Sequence, residues 1–297
     1  MSSPPRLFDR ALHRRRLDRA APAFADFLKV RAAEDAVMRL ETIMRRFPSA
    51  VDLGARTGAF ARALAASDAR EKVDLLIETD LSAPMLGRGG VRVVADEERL
   101  PFAKNSLDLV VSTLALHWAN DLIGALIQAR LALKPDGLFI GALLGGATLT
   151  ELRQSLLNAE AELSGGASLR VSPFADGGDA GSLLQRAGFA LPVADVDRVT
   201  VRYGHPIELL RDLRAMGETN VLVERPRTPL TRRLLARALE LYVEQFSEPD
   251  GRVRATFEII TITGWKPHES QQKPLPRGSA KMRLADALGT TEHKGED

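Results

Sequence analysis

Three short stretches carry residues of the right type, in the right order, to hold a nucleotide. In VDLGARTGAF, residues 51–60, Asp52 is followed by Gly54, Arg56 and Gly58. Glycines there let the backbone turn sharply and approach a ligand, and the helix that follows offers free N–H groups at its N-terminus. Taken alone, such a loop serves equally as a plain tight turn between strand and helix. Arg56 stands where an acid-x-G-x-G-x-G loop carries its middle glycine, and a positive φ is uncomfortable for arginine. The loop is therefore expected to bend differently, to turn Arg56 away from the ligand, or to pair its guanidinium with a ligand carboxylate. In ETDLS, Asp80 lies 22 residues beyond Gly58, near the spacing at which a carboxylate accepts from two ribose hydroxyls. Its other use is an acidic cap ahead of SAPML, and Glu78 is the reserve on the same strand. In VVADEERLPF, Asp96 is placed to accept from the exocyclic amine of a base, with the Glu97 backbone beside a ring nitrogen. Each feature is weak singly. Their order, a glycine turn and then two acids at successive strand ends, is the specific signal.

The elements that must position these residues are legible as apolar runs of strand length between residues 49 and 145: AVDLG, VDLLIETD, VRVVAD, LDLVVSTLAL and GLFIGALLG. Near-continuous apolar runs predict strands covered on both faces, as in a parallel α/β sheet. NDLIGALIQARLAL predicts a helix capped by Asn120 and Asp121 and ended by KPDG. Thr148 and Glu151 form a T-x-x-E capping-box pattern opening a long helix. A Gly- and Ser-rich loop from 164 to 181 follows, then a short helix near 182–187 with Gly188 as its cap. VADVDRVTVRY alternates as a strand pair does, PIELLRDLRAM and LTRRLLARALELYVEQF are helical, and VRATFEIITITGW is a late strand. The chain divides into a helical segment 1–48, a domain 49–269 with a cofactor half 49–145 and a helical, substrate-side half 146–269, and a tail 270–297 that docks through MRLADAL.

Composition narrows the functions. In 297 residues, 41 Lys and Arg balance 39 Asp and Glu to a formal charge of +2, so neither nucleic-acid binding nor membrane attraction follows from the sum. Cysteine is absent, which removes disulfides, thiolate metal sites and a cysteine nucleophile. No apolar run reaches membrane-spanning length, so no membrane insertion is expected. RLFDRALHRRRLDRAA carries six arginines between Arg6 and Arg19. Its Asp9 and Asp18 argue against a transit peptide and for a solvated helix lying on the domain.

The layout resembles the class I S-adenosylmethionine-dependent methyltransferases over roughly residues 49–145, with LPFAKNSLDLVVSTLALHW and LKPDG as further matches. The resemblance implies a Rossmann-like, doubly wound, mostly parallel seven-stranded sheet with a late antiparallel strand, plus an N-terminal helix and a helical insertion. It also implies S-adenosylmethionine as cofactor. Carried over by position, Asp52, Gly54 and Gly58 hold the methionine end, with Arg56 as the departure from the pattern. Asp80 holds the ribose, Asp96 and Glu97 contact adenine, and Ser112 falls near the methionine amino group. A narrower likeness covers most of the remaining chain. LFDRALHRRRLDRAA, LALHWANDL, LKPDGLFIGALLGGATLTELRQSL, SPF, DLRAMGETN and GWKPHES resemble the methyltransferase-like assembly factors of respiratory complex I. The mitochondrial member of that family is associated with hydroxylation of an arginine on the quinone-site subunit. That likeness implies a protein substrate, and, because FDR already starts at Phe8, a bacterial relative acting in the cytoplasm.

On the acceptor side, His117 and Trp118 follow strand four and either line the substrate or simply pack. A buried guanidinium needs carboxylates, and Glu151 and Glu218 are the candidates; a capping partner and a loop carboxylate are their plainer uses. No catalytic residue is assigned. The histidines at 13, 117, 205, 268 and 293 show no H-x-D or H-x-x-x-H pairing, so no metal site is predicted and hydroxylation rests on the resemblance. Three activities stay open: arginine modification during complex I assembly, methyl transfer to a small molecule or carboxyl group, and assembly chaperoning without catalysis.

Overall fold

A computed structural model describes residues 6–272, apart from 88, 167, 175 and 176, together with 286, 289 and 290. The chain divides into Met1–Pro267, which holds the whole sheet, and His268–Asp297. Of the stretch MRLADAL, only Asp286 is among the described residues.

Two helices open the fold, α1 (Arg10–Ala20) and α2 (Phe27–Thr42). The alternating part follows as β1 (Ser49–Leu53), α3 (Ala59–Ala65), β2 (Leu75–Asp80), α4 (Ala83–Leu86), β3 (Val91–Val94), β4 (Leu107–Thr113), α5 (Leu122–Ala132) and β5 (Leu133–Leu144). Then come α6 (Thr150–Ser164), α7 (Ala180–Arg186), β6 (Ala190–Tyr203), α8 (Pro206–Ala215), α9 (Arg232–Phe246) and β7 (Val253–Trp265). The strands form one seven-stranded sheet in the order β3-β2-β1-β4-β5-β7-β6. β7 runs antiparallel to both its neighbours and the other pairings are parallel. This is the expected sheet with its late antiparallel strand. Strand order reverses between β1 and β4, the switch point at which doubly wound sheets open a crevice beyond their strand ends.

Side-chain alternation covers both faces. On β4 and β5, Leu109, Val111, Leu138 and Ile140 pack with α2 and α3, while Val110 and Phe139 pack with α5 and α7. A third core joins α6, α8 and α9 to β7 through Leu156, Leu209, Leu241 and Phe257. Each such side chain, fully buried, contributes roughly 1.5–3 kcal/mol.

Four local expectations are corrected. Asp121 alone caps α5, accepting from the Gly124 N–H at 2.8 Å, while the Asn120 side chain accepts from the Phe8 N–H at 2.7 Å and donates to the Phe8 carbonyl. KPDG does not stand between helix and strand: β5 begins at Leu133 directly after α5, with Asp136 at φ +63°. The T-x-x-E pattern makes no capping box, because left-handed Leu149 is the N-cap of α6 and Thr148 falls one residue outside. Thr148 instead accepts from the Glu258 N–H at 3.0 Å, and Glu151 accepts from the Thr256 N–H and hydroxyl at 3.1 and 2.6 Å, so both pin the helix start to β7. Finally, VADVDRVTVRY is not a strand pair. β6 is one strand matched to β7 from Ala190↔Trp265 to Tyr203↔Val253, and its two aspartates, Asp195 and Asp197, are paired within the ladder with Thr261 and Ile259.

Candidate functional site

The loop after β1 enters α3 through two left-handed glycines, Gly54 at φ +70° and Gly58 at φ +77°. A Cβ at Gly54 would lie 2.2 Å from that of Ala115, so space as well as φ requires glycine there, whereas at Gly58 it would meet only the movable end of Glu78, at 2.6 Å, and φ is the constraint. Arg56 between them also takes a positive φ, +52°. That geometry costs a side-chain-bearing residue about 1–2 kcal/mol. It is offset at Asp80, on the end of β2, whose Oδ2 accepts from both the Arg56 N–H at 2.9 Å and the Arg56 Nη1 at 2.7 Å. Asp80 Oδ1 accepts from the Ser82 N–H at 2.8 Å, and Asp80 is 0% exposed. Burial works against the Arg56 charge, but Asp80 and Glu97 outweigh it and hold the guanidinium above its ordinary pKa.

The acids after β3 are likewise engaged. Arg10, on α1, donates through Nη2 to Asp96 Oδ1 at 2.7 Å and to Glu97 Oε2, and through Nη1 to the Trp118 carbonyl at 3.3 Å. Lys29, on α2, reaches the gap between β1 and β4, where its Nζ donates to the Gly54 carbonyl at 2.8 Å, to Thr113 Oγ1 at 2.9 Å and to the Thr113 carbonyl. Ser112 donates to the Leu53 carbonyl at 2.9 Å, a bond between neighbouring strands. His13, one turn beyond Arg10, is buried beside Trp118; burial, and the nearby Arg56 and Arg10 charges, push its pKa well below the usual histidine value.

The structure brings Asp52, Gly54, Arg56, Gly58, Asp80, Asp96, Glu97 and Ser112 to one end of the sheet, together with Arg10, His13 and Lys29. Lys29 had a sequence signal: with Ala33, Ala36 and Leu40 it marks the buried stripe of α2, and a lysine there needs acceptors. Arg10 had none, being one arginine of many on a helix read as solvated.

Asp52 is 0% exposed, and neither of its carboxylate oxygens has a hydrogen-bond partner. Burial is the main cause that raises its pKa to about 7, with Lys29 opposing, and burial lowers Lys29 to about 8. For Asp52, the folded chain keeps a proton that the unfolded chain has lost. This contribution to stability is complete below the ordinary pKa of 3.8 and is lost as pH rises towards 7. For Lys29 the sign is opposite: the contribution is complete above 10.5 and is lost as pH falls towards 8. In chemical denaturation, the midpoint of Asp52→Asn relative to the native chain should therefore rise between about pH 5 and about pH 7.5. A difference that stays flat over that range would show Asp52 to be solvated.

Beside these acids lies a cavity of about 620 Å³, lined mostly by apolar side chains such as Leu28, Leu114, Leu144 and Leu152. Of the eight residues expected at the cofactor, Arg56 alone lines it; Trp118 and Glu218 line it too, and Glu151 does not. Glu218 Oε2 accepts from Trp118 Nε1 at 2.8 Å and lies 3.4 Å from His117 Nε2. His117 packs against Trp118 and Phe174.

An adenosyl group finds the right residue types here, but Asp52 and Glu97 Oε1 apart, the acceptors are engaged. Asp80, Asp96 and the Gly54 carbonyl already receive bonds from Arg56, Arg10 and Lys29, and the open volume lies to one side of them. As arranged, the cofactor would have to displace Arg56 from Asp80 and Arg10 from Asp96.

A family model described as a methyltransferase domain matches residues 51–141. The chain is 42% identical over 290 residues to "Arginine-hydroxylase NDUFAF5, mitochondrial" of Danio rerio, covering 94% of this chain and 89% of that one. It is 35% identical over 285 residues to "Malonyl-[acyl-carrier protein] O-methyltransferase" of Halorhodospira halophila, covering 92% and 94%. Among solved structures, the YcgJ protein of Bacillus subtilis shares the fold, with a TM-score of 0.53 at 16% identity over 80% of this chain and 98% of that one.

Proposed function

Because this chain belongs to the class I S-adenosylmethionine-dependent methyltransferase family, we propose that it is a respiratory complex I assembly factor that hydroxylates an arginine of the quinone-site subunit. The observation that carries this reading is the 42% identity to an arginine-hydroxylase along nearly the whole of both chains. Its substrate is a protein, met in the cytoplasm. Among the described residues no helix is long and apolar enough to cross a membrane.

The acceptor side supports the reading. Glu218 presents a carboxylate at the cavity wall, oriented by Trp118 Nε1 at 2.8 Å, as the recognition of a guanidinium requires. Glu151 takes no part, since its carboxylate is spent on Thr256. S-adenosylmethionine remains the ligand of this reading, with Asp52, Gly54 and Gly58 at its methionine end, Asp80 at the ribose, and Asp96 and Glu97 at adenine. That state requires Arg56 and Arg10 to have left the acids.

A second reading, carboxyl O-methylation, is favoured by the 35% identity to the malonyl-[acyl-carrier protein] enzyme and by the basic residues Lys29, Arg170, Arg211 and Arg214 on the cavity wall, which suit a carboxylate. Mass spectrometry of the quinone-site subunit, from cells with and without this gene, separates the two. A gain of one oxygen on an arginine, present only with the gene, is the expected result. A subunit of identical mass in both strains would remove the hydroxylase reading.

A further inference from the structure

We propose that Arg56, Arg10 and Lys29 form an internal stand-in for the adenosyl ligand, so that the cleft rests in a self-occupied state and admits cofactor only when these cations leave. The inference rests on the reading of the cleft as an adenosyl site.

Three elements supply the three cations, and each donates where a different part of the ligand is expected. Lys29 Nζ, an ammonium, sits between the carbonyls of Gly54 and Thr113, on the glycine loop and strand end where the methionine amino group is expected. Arg56 gives Asp80 one guanidinium donor, Nη1 at 2.7 Å, in place of a ribose hydroxyl, while its backbone N–H holds the same oxygen as any residue there could. Arg10 gives one N–H nitrogen to Asp96 and Glu97 together, in place of the exocyclic amine of adenine. Arginine at position 56 is what makes the second contact possible, since a glycine there has no side chain to reach across.

The substitution is imperfect, which makes it exchangeable. Asp52 Oδ1 and Oδ2, Arg56 Nη2, Glu97 Oε1, His13 Nε2 and Thr57 Oγ1 are buried in or beside this cluster without hydrogen-bond partners. Buried polar groups are normally paired, so a cluster of exceptions marks a site built for a polar ligand. Arg10 and His13 lie on one face of α1, and Asp18 of the same helix accepts from the Ser82 hydroxyl at 2.6 Å. Release of Arg10 therefore loosens α1, the element carrying the surrogate adenine contact. A ligand that binds only the open form shows an affinity reduced by the fraction of molecules that are open.

Calorimetric titration of the full chain with S-adenosylmethionine tests this. Arg56→Gly, which leaves Asp80 able to take up a proton, should bind about tenfold or more tightly than the native chain, and Arg10→Gln should also bind more tightly. Folding of both variants is checked by circular dichroism. Hydrogen exchange of the native chain gives a second measure, with α1 amides expected to exchange faster at saturating ligand. The proposal is overturned if folded Arg56→Gly and Arg10→Gln bind no more tightly than the native chain, or if α1 becomes more protected on binding. An unmodified quinone-site subunit in cells, alongside tighter binding by Arg56→Gly, would sink the hydroxylase reading and leave this one standing.

Discussion

Asp80→Ala should lower the unfolding free energy by about 3–5 kcal/mol, seen as an earlier denaturation midpoint with an unchanged slope. The Arg56 guanidinium is 1% exposed and Asp80 0%, and arginine does not shed its proton when its partner is lost. Removing the carboxylate leaves a buried charge facing Lys29 and Arg10 without its main acceptor, and it also strips the Arg56 and Ser82 N–H groups of theirs. Adding Arg56→Met to Asp80→Ala should recover most of the loss, because a buried pair costs much of its attraction in lost hydration. A double-mutant cycle measures the coupling directly. A loss below about 1 kcal/mol for Asp80→Ala would place the pair in the range of solvated surface bridges.

Glu218→Gln should reduce arginine modification at least about thirtyfold, the effect of losing 2 kcal/mol or more when one partner of a buried charge pair goes. Glutamine keeps an oxygen to accept from Trp118 Nε1, so the cavity wall is retained and the charge alone is removed. Affinity for S-adenosylmethionine should be unchanged, because Glu218 faces Trp118 and His117 rather than the acids proposed to hold the nucleoside. The readout is the fraction of target arginine carrying an added oxygen in the subunit isolated from cells expressing each variant, where the oxidant is supplied. Undiminished turnover by Glu218→Gln would dismiss it as the guanidinium acceptor. Glu151→Gln is the contrast: its carboxylate holds Thr256, so its loss should appear in stability.

The sheet was legible because strands covered on both faces must be apolar nearly throughout, and AVDLG, LDLVVSTLAL and GLFIGALLG satisfy this without ambiguity. The glycine turn and the two acids were legible for a related reason: backbone sterics and strand-end position restrict what can stand there. What could not be read was direction. Thr148 and Glu151 carry the letters of a capping box, yet a left-handed Leu149 moved the helix start by one residue and turned both side chains towards β7. Asn120 had the look of a cap and became a clamp on Phe8. Arg10 and Lys29 lie 86 and 84 residues from their partners Asp96 and Thr113. No local pattern states such distances. The open question at Arg56 was resolved by a contact between residues 24 apart: its side chain turns inward, onto the acid that the ribose was expected to claim.

β6 also governs how the molecule behaves when crowded with its own kind. It is the longer of the two edge strands of the sheet, and a long outer strand is a template on which a neighbour can zip. Asp195 and Asp197 stand guard on it, tethered to Arg39 and Arg31 of α2 at 2.7 and 2.8 Å, with Val193 and Val196 half exposed between and beside them. Dissolved salt screens such surface charges within a few ångströms at molar strength. Clumping through this edge is therefore a hazard of brine-rich purification or crystallisation, and dilute buffers keep the guard in force.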